Sequence, residues 1–231
     1  MRILYVLIII SCLSCNNERI LQLPEIENAT VTQVFDVSPA YIFYDETQAD
    51  STLLNRKNLI GTTNWLVNVD KRLTLRQAMP HIKFLQDKKR NAEVHKNKNA
   101  KNYFTCNNTS MGSLGFIDFT GTDYHLDASY DYYKKSSTLD SKHTVTIEVK
   151  NPGRIILSPS FSPSKISNTR FNDVLNDLQK VLNTDAVHEK GFKLILNISN
   201  QISFQDYISI KSRLLKLESE KIIIATDEFI Y

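Results

Sequence analysis

One order of sequence patterns occurs twice in this chain and constrains its fold more than any other feature. Each occurrence begins with a predicted β-hairpin, in which two stretches rich in β-branched and aromatic residues flank a turn. In the second half the hairpin covers 144–157, with Asn151-Pro152-Gly153 as a strong turn signal. In the first half it covers 30–44, with Ser38-Pro39-Ala40 at the turn.

An apolar strand and a capped helix follow each hairpin. The strands are predicted at 65–69 and 194–198. Thr74 and Ser203 occupy N-cap positions, with a glutamine and an aspartate three residues later, as in a capping box. The remaining predicted elements are a last strand in each half (103–106 and 222–226) and an additional amphipathic helix in the second half (168–182).

These patterns predict an α+β protein with two tandem β-β-α-β-α-β modules that arose by duplication. The first module is reduced, because its residues 45–63 predict only a short turn of helix around Leu53 and Leu54. The predicted boundaries are a signal peptide at 1–14, a tether at 15–28, the first module at 29–108, a linker with one strand (115–120) at 109–142, and the second module at 143–231.

The N-terminus has the pattern of an export signal. Arg2 precedes an apolar run at 3–10, and small residues at 11–15 end it. The apolar run is about half of the roughly 20 residues that a helix needs to cross a bilayer. We therefore expect a secreted protein whose leader is removed.

The cysteines indicate what replaces the leader. Leu13-Ser14-Cys15 resembles a bacterial lipobox, in which the cysteine after the cleavage site receives a lipid. Cys12 is a rival site three residues earlier, but the polar residues 16–18 favour Cys15. Only Cys106 would then remain, so no disulfide forms within the chain. We expect Cys106 to be a half-buried strand residue without a catalytic role.

Residues 144–231 resemble the periplasmic domain of the ExbD/TolR family in the order of their elements, and residues 29–108 resemble a degenerate copy. The resemblance implies partners in the cell envelope, either proteins or peptidoglycan, and is compatible with a homodimer. Family members carry an aspartate in a transmembrane helix that couples proton flow to transport. Residues 3–15 contain no acidic residue, so the resemblance implies an accessory or adaptor rather than the motor component itself.

Catalytic, cofactor and metal sites are not predicted. Four aspartates, at 118, 123, 127 and 131, could offer oxygen ligands to a hard cation, but their spacing fits a solvated acidic stretch better. The five histidines are scattered and lack zinc-site spacing. The basic cluster after the first helix is predicted to be a solvated loop. It contains Lys88, Lys89, Arg90, Lys96, Lys98 and Lys101.

Charge and organisation together define two functional hypotheses. The net charge of +3 is too small to indicate a nucleic-acid partner. The first hypothesis is a non-enzymatic, lipid-anchored envelope protein that faces the periplasm or the cell surface and binds envelope proteins or peptidoglycan, with a link to Ton/Tol-type transport. The alternative is a lipoprotein that binds a small ligand or a glycan between its two modules.

Overall fold

The computed structural model of the chain describes residues 19–92, 97–129, 132, 143–162, 166–168, 171–182 and 191–231. These residues form mixed α/β structure with two mixed sheets, which confirms the α+β class. The helices are α1 (Leu75–Arg90), α2 (Phe171–Leu182) and α3 (Phe204–Leu215). No helix in the described ranges is both long enough and apolar enough to cross a bilayer. The leader, with Cys12 and Cys15, lies outside the described residues.

The first sheet is built around the parallel strands β2, β4 and β5. Its strands are β1 (Glu25–Ile26), β2 (Val37–Tyr44), β3 (Thr52–Asn55), β4 (Asn64–Val69), β5 (Asn102–Asn108) and β6 (Ser113–Asp118). The main order is β3-β2-β4-β5, with β3 antiparallel at the edge. β4 and β1 pair in parallel with the same edge of β5, β4 with its first residues and β1 with its last. β6 pairs antiparallel with the opposite edge of β5.

The predicted hairpin around Pro39 is wrong, because Pro39 lies inside the continuous strand β2. The antiparallel partner of β2 is β3, whose pairing begins only at Tyr41. At Pro39 that edge of β2 therefore has no ladder partner that would need an N–H donor, which explains why proline is tolerated. Leu53 and Leu54, predicted near a turn of helix, lie in β3, and the 3₁₀ turn precedes them at Ala49–Ser51.

The second sheet has the order β10-β9-β8-β11-β12-β7. Its strands are β7 (Asp123–His125), β8 (Thr144–Asn151), β9 (Arg154–Pro159), β10 (Ile166–Asn168), β11 (Phe192–Ile198) and β12 (Ile222–Ile230). The hairpin predicted at 144–157 is confirmed as β8 and β9. The predicted helix at 168–182 begins later, at Phe171, because the preceding residues pair with β9 as strand β10.

The two sheets share part of their topology. The order β3-β2-β4-β5 in the first sheet corresponds to β9-β8-β11-β12 in the second. The strands β2 and β8 each pair antiparallel with the strand that follows them in the chain, β3 or β9. They also pair in parallel with the strand that leads into a capped helix, β4 or β11. The helices α1 and α3 occupy equivalent positions in this order. The shared order is compatible with a duplication, which itself stays a prediction.

The N-caps of α1 and α3 join the two sheets. Thr74 and Ser203 form an antiparallel bridge with each other. Leu75 N–H donates to the Ile202 carbonyl at 2.8 Å, and in the equivalent bond Phe204 N–H donates to the Leu73 carbonyl at 2.7 Å. Each bond thus has a counterpart with the roles of the two halves exchanged. Backbone N–H groups that a helix start leaves without partners are satisfied by the other half of the chain.

One hydrophobic core runs through both sheets, and the segments before and between the predicted modules contribute to it. Residues 109–142, predicted as a linker with one strand, contain β6 of the first sheet and β7 of the second. Part of the predicted tether is also integrated, because β1 pairs with β5 and Ile26 is buried. Such two- and three-residue strands are too short to give a periodic signal in the sequence.

Gly191 precedes β11 in a conformation that requires glycine. Its φ is +66°, and a Cβ there would overlap with the backbone carbonyl of Lys221. We expect Gly191→Ala to lower the free energy of unfolding by about 2–3 kcal/mol, since strain and overlap add. Gly112 shares the positive φ without the overlap, and Gly61 has neither feature. Urea unfolding should therefore rank the alanine variants 191, 112, 61 in decreasing effect, and equal effects would contradict this assignment.

Candidate functional site

A cluster of buried polar side chains lies between α3, β12 and the connection from β6 to β7. Tyr207 and Lys211, one turn apart on α3, point toward Glu228 on β12. The Tyr207 hydroxyl donates to Glu228 Oε2 at 2.7 Å, and the Lys211 ammonium pairs with Glu228 Oε1. Lys211 also donates to Thr122 Oγ1 at 3.3 Å, and the hydroxyls of Tyr124 and Tyr207 lie 3.1 Å apart. We call these five residues the buried polar cluster.

The buried polar cluster is almost completely buried, and its tyrosine hydroxyls stay protonated. The side chains of Lys211 and Glu228 are only 7% and 3% exposed. Burial, with the nearby Glu228 carboxylate, raises the pKa values of Tyr207 and Tyr124 well above the ordinary value. Both hydroxyls therefore remain donors at physiological pH, and the cluster links the β6–β7 connection to α3 and β12.

A cleft opens beside the buried polar cluster, between the two sheets. Its volume is about 410 Å³, and we call it the inter-sheet cleft. Two ion pairs contribute to its lining: Lys101 with Asp118 at 3.0 Å, and Lys211 with Glu228. The other lining residues are small, hydroxylated or apolar, except for Glu218: Thr120, Gly121, Thr122, Leu215, Ile224, Ala225 and Thr226. Most of the charge in the cleft is thus already neutralised within the protein.

Asp118 is ionised in the wall of the inter-sheet cleft. Burial by itself would raise its pKa, but hydrogen bonds from Thr120 and the Lys101 ammonium outweigh burial and hold the pKa below its usual value. The Thr120 hydroxyl donates to Asp118 Oδ1 at 2.6 Å. A carboxylate that already has hydrogen-bond donors and a counter-cation stays ionised and does not exchange protons readily, so Asp118 has a structural role in the cleft.

The segment 25–31 lies against α3, next to the inter-sheet cleft. Lys216 Nζ donates to the Glu27 carbonyl at 2.9 Å, and Gln205 exchanges two hydrogen bonds with the backbone of Glu25, at 2.8 and 3.0 Å. Two smaller cavities, of about 170 and 250 Å³, lie between this segment and α3. The residues that precede the first predicted module therefore connect the two sheets.

The aspartates considered as cation ligands are not brought together. Asp118 pairs with Lys101, Asp123 pairs with Arg90, and Asp127 is exposed. Asp131 lies outside the described residues. In the described part of the chain, no three His, Cys, Asp or Glu side chains are placed to hold a metal ion.

The histidines also have separate environments. His125 Nε2 lies 2.7 Å from Asp227 Oδ1, and its ring stacks on Phe229 at 4.9 Å between centroids. His81 contacts Thr52, and burial lowers the pKa of its imidazole. His95 and His188 lie outside the described residues. The His125–Asp227 pair was missed at the sequence level, because it depends on the short strand β7 pairing with β12.

Lys89 corrects the prediction of a solvated basic loop. It lies in the last turn of α1 and is buried, with Nζ donating to the Thr63 and Lys101 carbonyls at 3.1 and 2.9 Å. Its ammonium also lies 4.9 Å from the centre of the Trp65 ring. Burial lowers the pKa of Lys89 to about 8. Lys88 and Arg90 also lie in α1 rather than in a loop, and Arg90 and Lys101 pair with Asp123 and Asp118. Lys88 and Lys98 are exposed, and Lys96 lies outside the described residues.

Lys89 should make stability depend on pH in the alkaline range. The folded protein releases the Lys89 proton near pH 8, whereas the unfolded chain holds it up to about pH 10.5. Between these values the unfolded state binds more protons, so the free energy of unfolding should rise with pH relative to Lys89→Met. Chemical unfolding at pH 7, 8.5 and 10 measures this difference. A difference between wild type and Lys89→Met that stays constant from pH 7 to pH 10 would contradict the shift.

Cys106 is fully buried in β5, more deeply than expected. Burial raises the pKa of its thiol to about 12. The sulfur is therefore a neutral thiol at physiological pH, and thiols react as nucleophiles only in the thiolate form. This environment agrees with a packing role.

Comparison of the chain with protein-family models, with curated proteins and with solved structures gives no match.

Proposed function

We propose that this chain is a lipid-anchored protein of the bacterial cell envelope that binds another envelope component without catalysing a reaction. The component would be an envelope protein or peptidoglycan, and the chain would act as an adaptor facing the periplasm or the cell surface. The leader with Cys15 supports the anchor.

The element order of residues 144–231 is the observation that most favours this function. β8 and β9 form a hairpin, and α2, β11, α3 and β12 follow, which is the β-β-α-β-α-β order of the ExbD/TolR periplasmic domain. The strand β10 is an addition at the edge of the sheet. The described titratable groups near the cleft are largely engaged with one another, which fits a binding role better than acid–base catalysis.

The anchor is tested by mass spectrometry of the natural product. The expected N-terminus is an acylated Cys15, and Cys15→Ser should abolish acylation and release the protein from the membrane fraction. Cys12→Ser should leave acylation unchanged, and the reverse result would move the lipid to Cys12. An unmodified protein that begins at Met1 would refute the anchor.

The adaptor role is tested by crosslinking in the native envelope. We expect recovery of a partner of the ExbB/TolQ or TonB type, or of peptidoglycan fragments. Crosslinking in cells that lack the chain serves as the negative control. If crosslinking recovers none of these partners from wild-type cells, this role is excluded.

A second candidate, binding of a small neutral ligand or glycan, is supported by the inter-sheet cleft. Its two ion pairs are internally neutralised, and the hydroxyls of Thr120 and Thr122 are engaged by Asp118 and Lys211. The Thr226 hydroxyl and the Glu218 carboxylate in the lining are left to hydrogen bond to a polyhydroxylated ligand. A glycan at about 100 times its dissociation constant would stabilise the fold by about 2.7 kcal/mol. For a chain of this size that corresponds to a rise in melting temperature of roughly 5–10 °C. Unchanged melting temperatures across envelope glycans would exclude this candidate.

A further inference from the structure

An exposed surface that is both basic and apolar lies at one end of the first sheet. Its apolar side chains are Phe35, Ile60 and Phe84, which are 72%, 56% and 46% exposed. Its exposed cations are Arg56, Lys57, Lys88 and Lys98. We call these seven residues the basic end.

Hydrogen bonds and one ring contact hold the segments of the basic end together. Arg56 lies over the Phe84 ring, 5.0 Å from its centre, and connects the loop after β3 to α1. The same loop is fixed to β2, because Ile60 N–H donates to Ser38 Oγ at 3.0 Å. Asn97 Nδ2 donates to the Thr62 carbonyl at 2.9 Å and holds the neighbourhood of Lys98 against that loop. The surface is therefore a fixed part of the fold.

The cations of the basic end outnumber the carboxylates beside them. Asp87 lines the same depression as Arg56 and Lys88, and Asp36 is exposed next to Phe35. None of its four cations forms an ion pair with a described carboxylate, in contrast to Lys83, which pairs with Asp87 at 3.2 Å. The inter-sheet cleft, by comparison, contains two internal ion pairs. The basic end thus combines net positive charge with large exposed apolar side chains.

We propose that the basic end binds the surface of a membrane that contains anionic lipids. Lysine and arginine attract anionic headgroups, while protruding aromatic and aliphatic side chains enter the boundary between headgroups and acyl chains. Protein interfaces are depleted in lysine, and three of the four cations of the basic end are lysines. A headgroup surface therefore fits this composition better than an acidic protein surface does. The contact uses the protein surface alone and does not depend on an acyl chain at Cys15.

The test uses the unlipidated chain from Asn16 onward, which retains every described residue and lacks Cys12 and Cys15. Flotation with vesicles of phosphatidylethanolamine and phosphatidylglycerol is compared with flotation on pure phosphatidylcholine. We expect binding to the anionic vesicles only, with a decrease as ionic strength rises. Binding without acylation separates this proposal from the proposed anchor, so either can fail alone.

Matched variants locate the contact. Lys57→Gln with Lys88→Gln should weaken anionic-vesicle binding roughly tenfold or more, and Ile60→Ser should weaken it several-fold. The controls are Lys193→Gln with Lys221→Gln and Ile223→Ser in the second sheet, where Ile223 is 57% exposed, almost the same as Ile60. Circular dichroism verifies that every variant is folded.

Three results would overturn the proposal. One is equal flotation of the wild type on anionic and neutral vesicles, or no flotation on either. Another is an equal loss of binding in the control variants. The third is binding to polyglutamate without binding to anionic vesicles, which would assign the basic end to an acidic protein.

Discussion

Glu228→Leu should lower the free energy of unfolding by about 3–5 kcal/mol, the largest effect that we expect from a single polar substitution. The change leaves the Lys211 ammonium buried without its countercharge, and it removes the acceptor of the Tyr207 hydroxyl. A buried charge or donor without a partner has lost its hydrogen bonds to water, and no interaction within the protein offsets that free-energy cost. Chemical unfolding followed by circular dichroism measures the effect.

The double variant Lys211→Met/Glu228→Leu distinguishes a lost ion pair from general damage. Two apolar side chains of similar volume leave no buried charge, so the double variant should be clearly more stable than Glu228→Leu alone. At the exposed Lys83–Asp87 pair, Asp87→Asn should change stability by less than about 1 kcal/mol. A loss below about 1 kcal/mol for Glu228→Leu would show that the pair is not buried as described.

Phe104→Ala is the second large-effect prediction, with an expected loss of about 3–5 kcal/mol. Phe104 on β5 stacks on Phe119, with centroids 3.9 Å apart and an interplanar angle of 10°. It also meets Phe204 of α3 edge-to-face at 5.3 Å, so it packs the first sheet against the second half of the chain. Removing the ring leaves a cavity at the point where the two halves meet.

The same variant tests whether the two sheets form one cooperative unit. Because the core is continuous, wild type and variant should each unfold in a single transition, reported equally by Trp65 fluorescence in the first sheet and by circular dichroism of the whole chain. Phe35→Ala, at a ring that is 72% exposed, should change stability by no more than about 0.5 kcal/mol. Two separate transitions would contradict a shared core.

Local signals in the sequence predicted most of the long elements. The Asn151-Pro152-Gly153 turn, the apolar strands and the caps at Thr74 and Ser203 lead to elements at or near the predicted positions. Pro39 led to an error, because proline is common both in turns and in strands whose edge has no partner. Only the position of β3 distinguishes these two cases, and that position is set by tertiary pairing.

The candidate site was less predictable than the fold. Lys211 and Glu228 form a buried pair between α3 and β12. The pair could not be inferred from the sequence, since no short-range rule relates a helix position to the next strand. The burial of Lys89 could not be predicted for a similar reason. A lysine in a basic run suggests a solvated side chain, but its buried ammonium is stabilised by the carbonyls of Thr63 and Lys101 and by the Trp65 ring, which lie in other segments. The inter-sheet cleft exists only because two distant segments meet.

The sequence by itself determined the α+β class, the hairpin of the second sheet and the helices with their caps, because hydrophobic periodicity and capping act over a few residues. The tertiary structure alone decided that the Thr74 and Ser203 caps pair with each other and that short strands outside the predicted modules complete both sheets. It also decided which charges are buried. These features depend on contacts between residues far apart in the chain, and their free energy comes from the burial and mutual hydrogen bonding of both partners, which neither segment encodes alone.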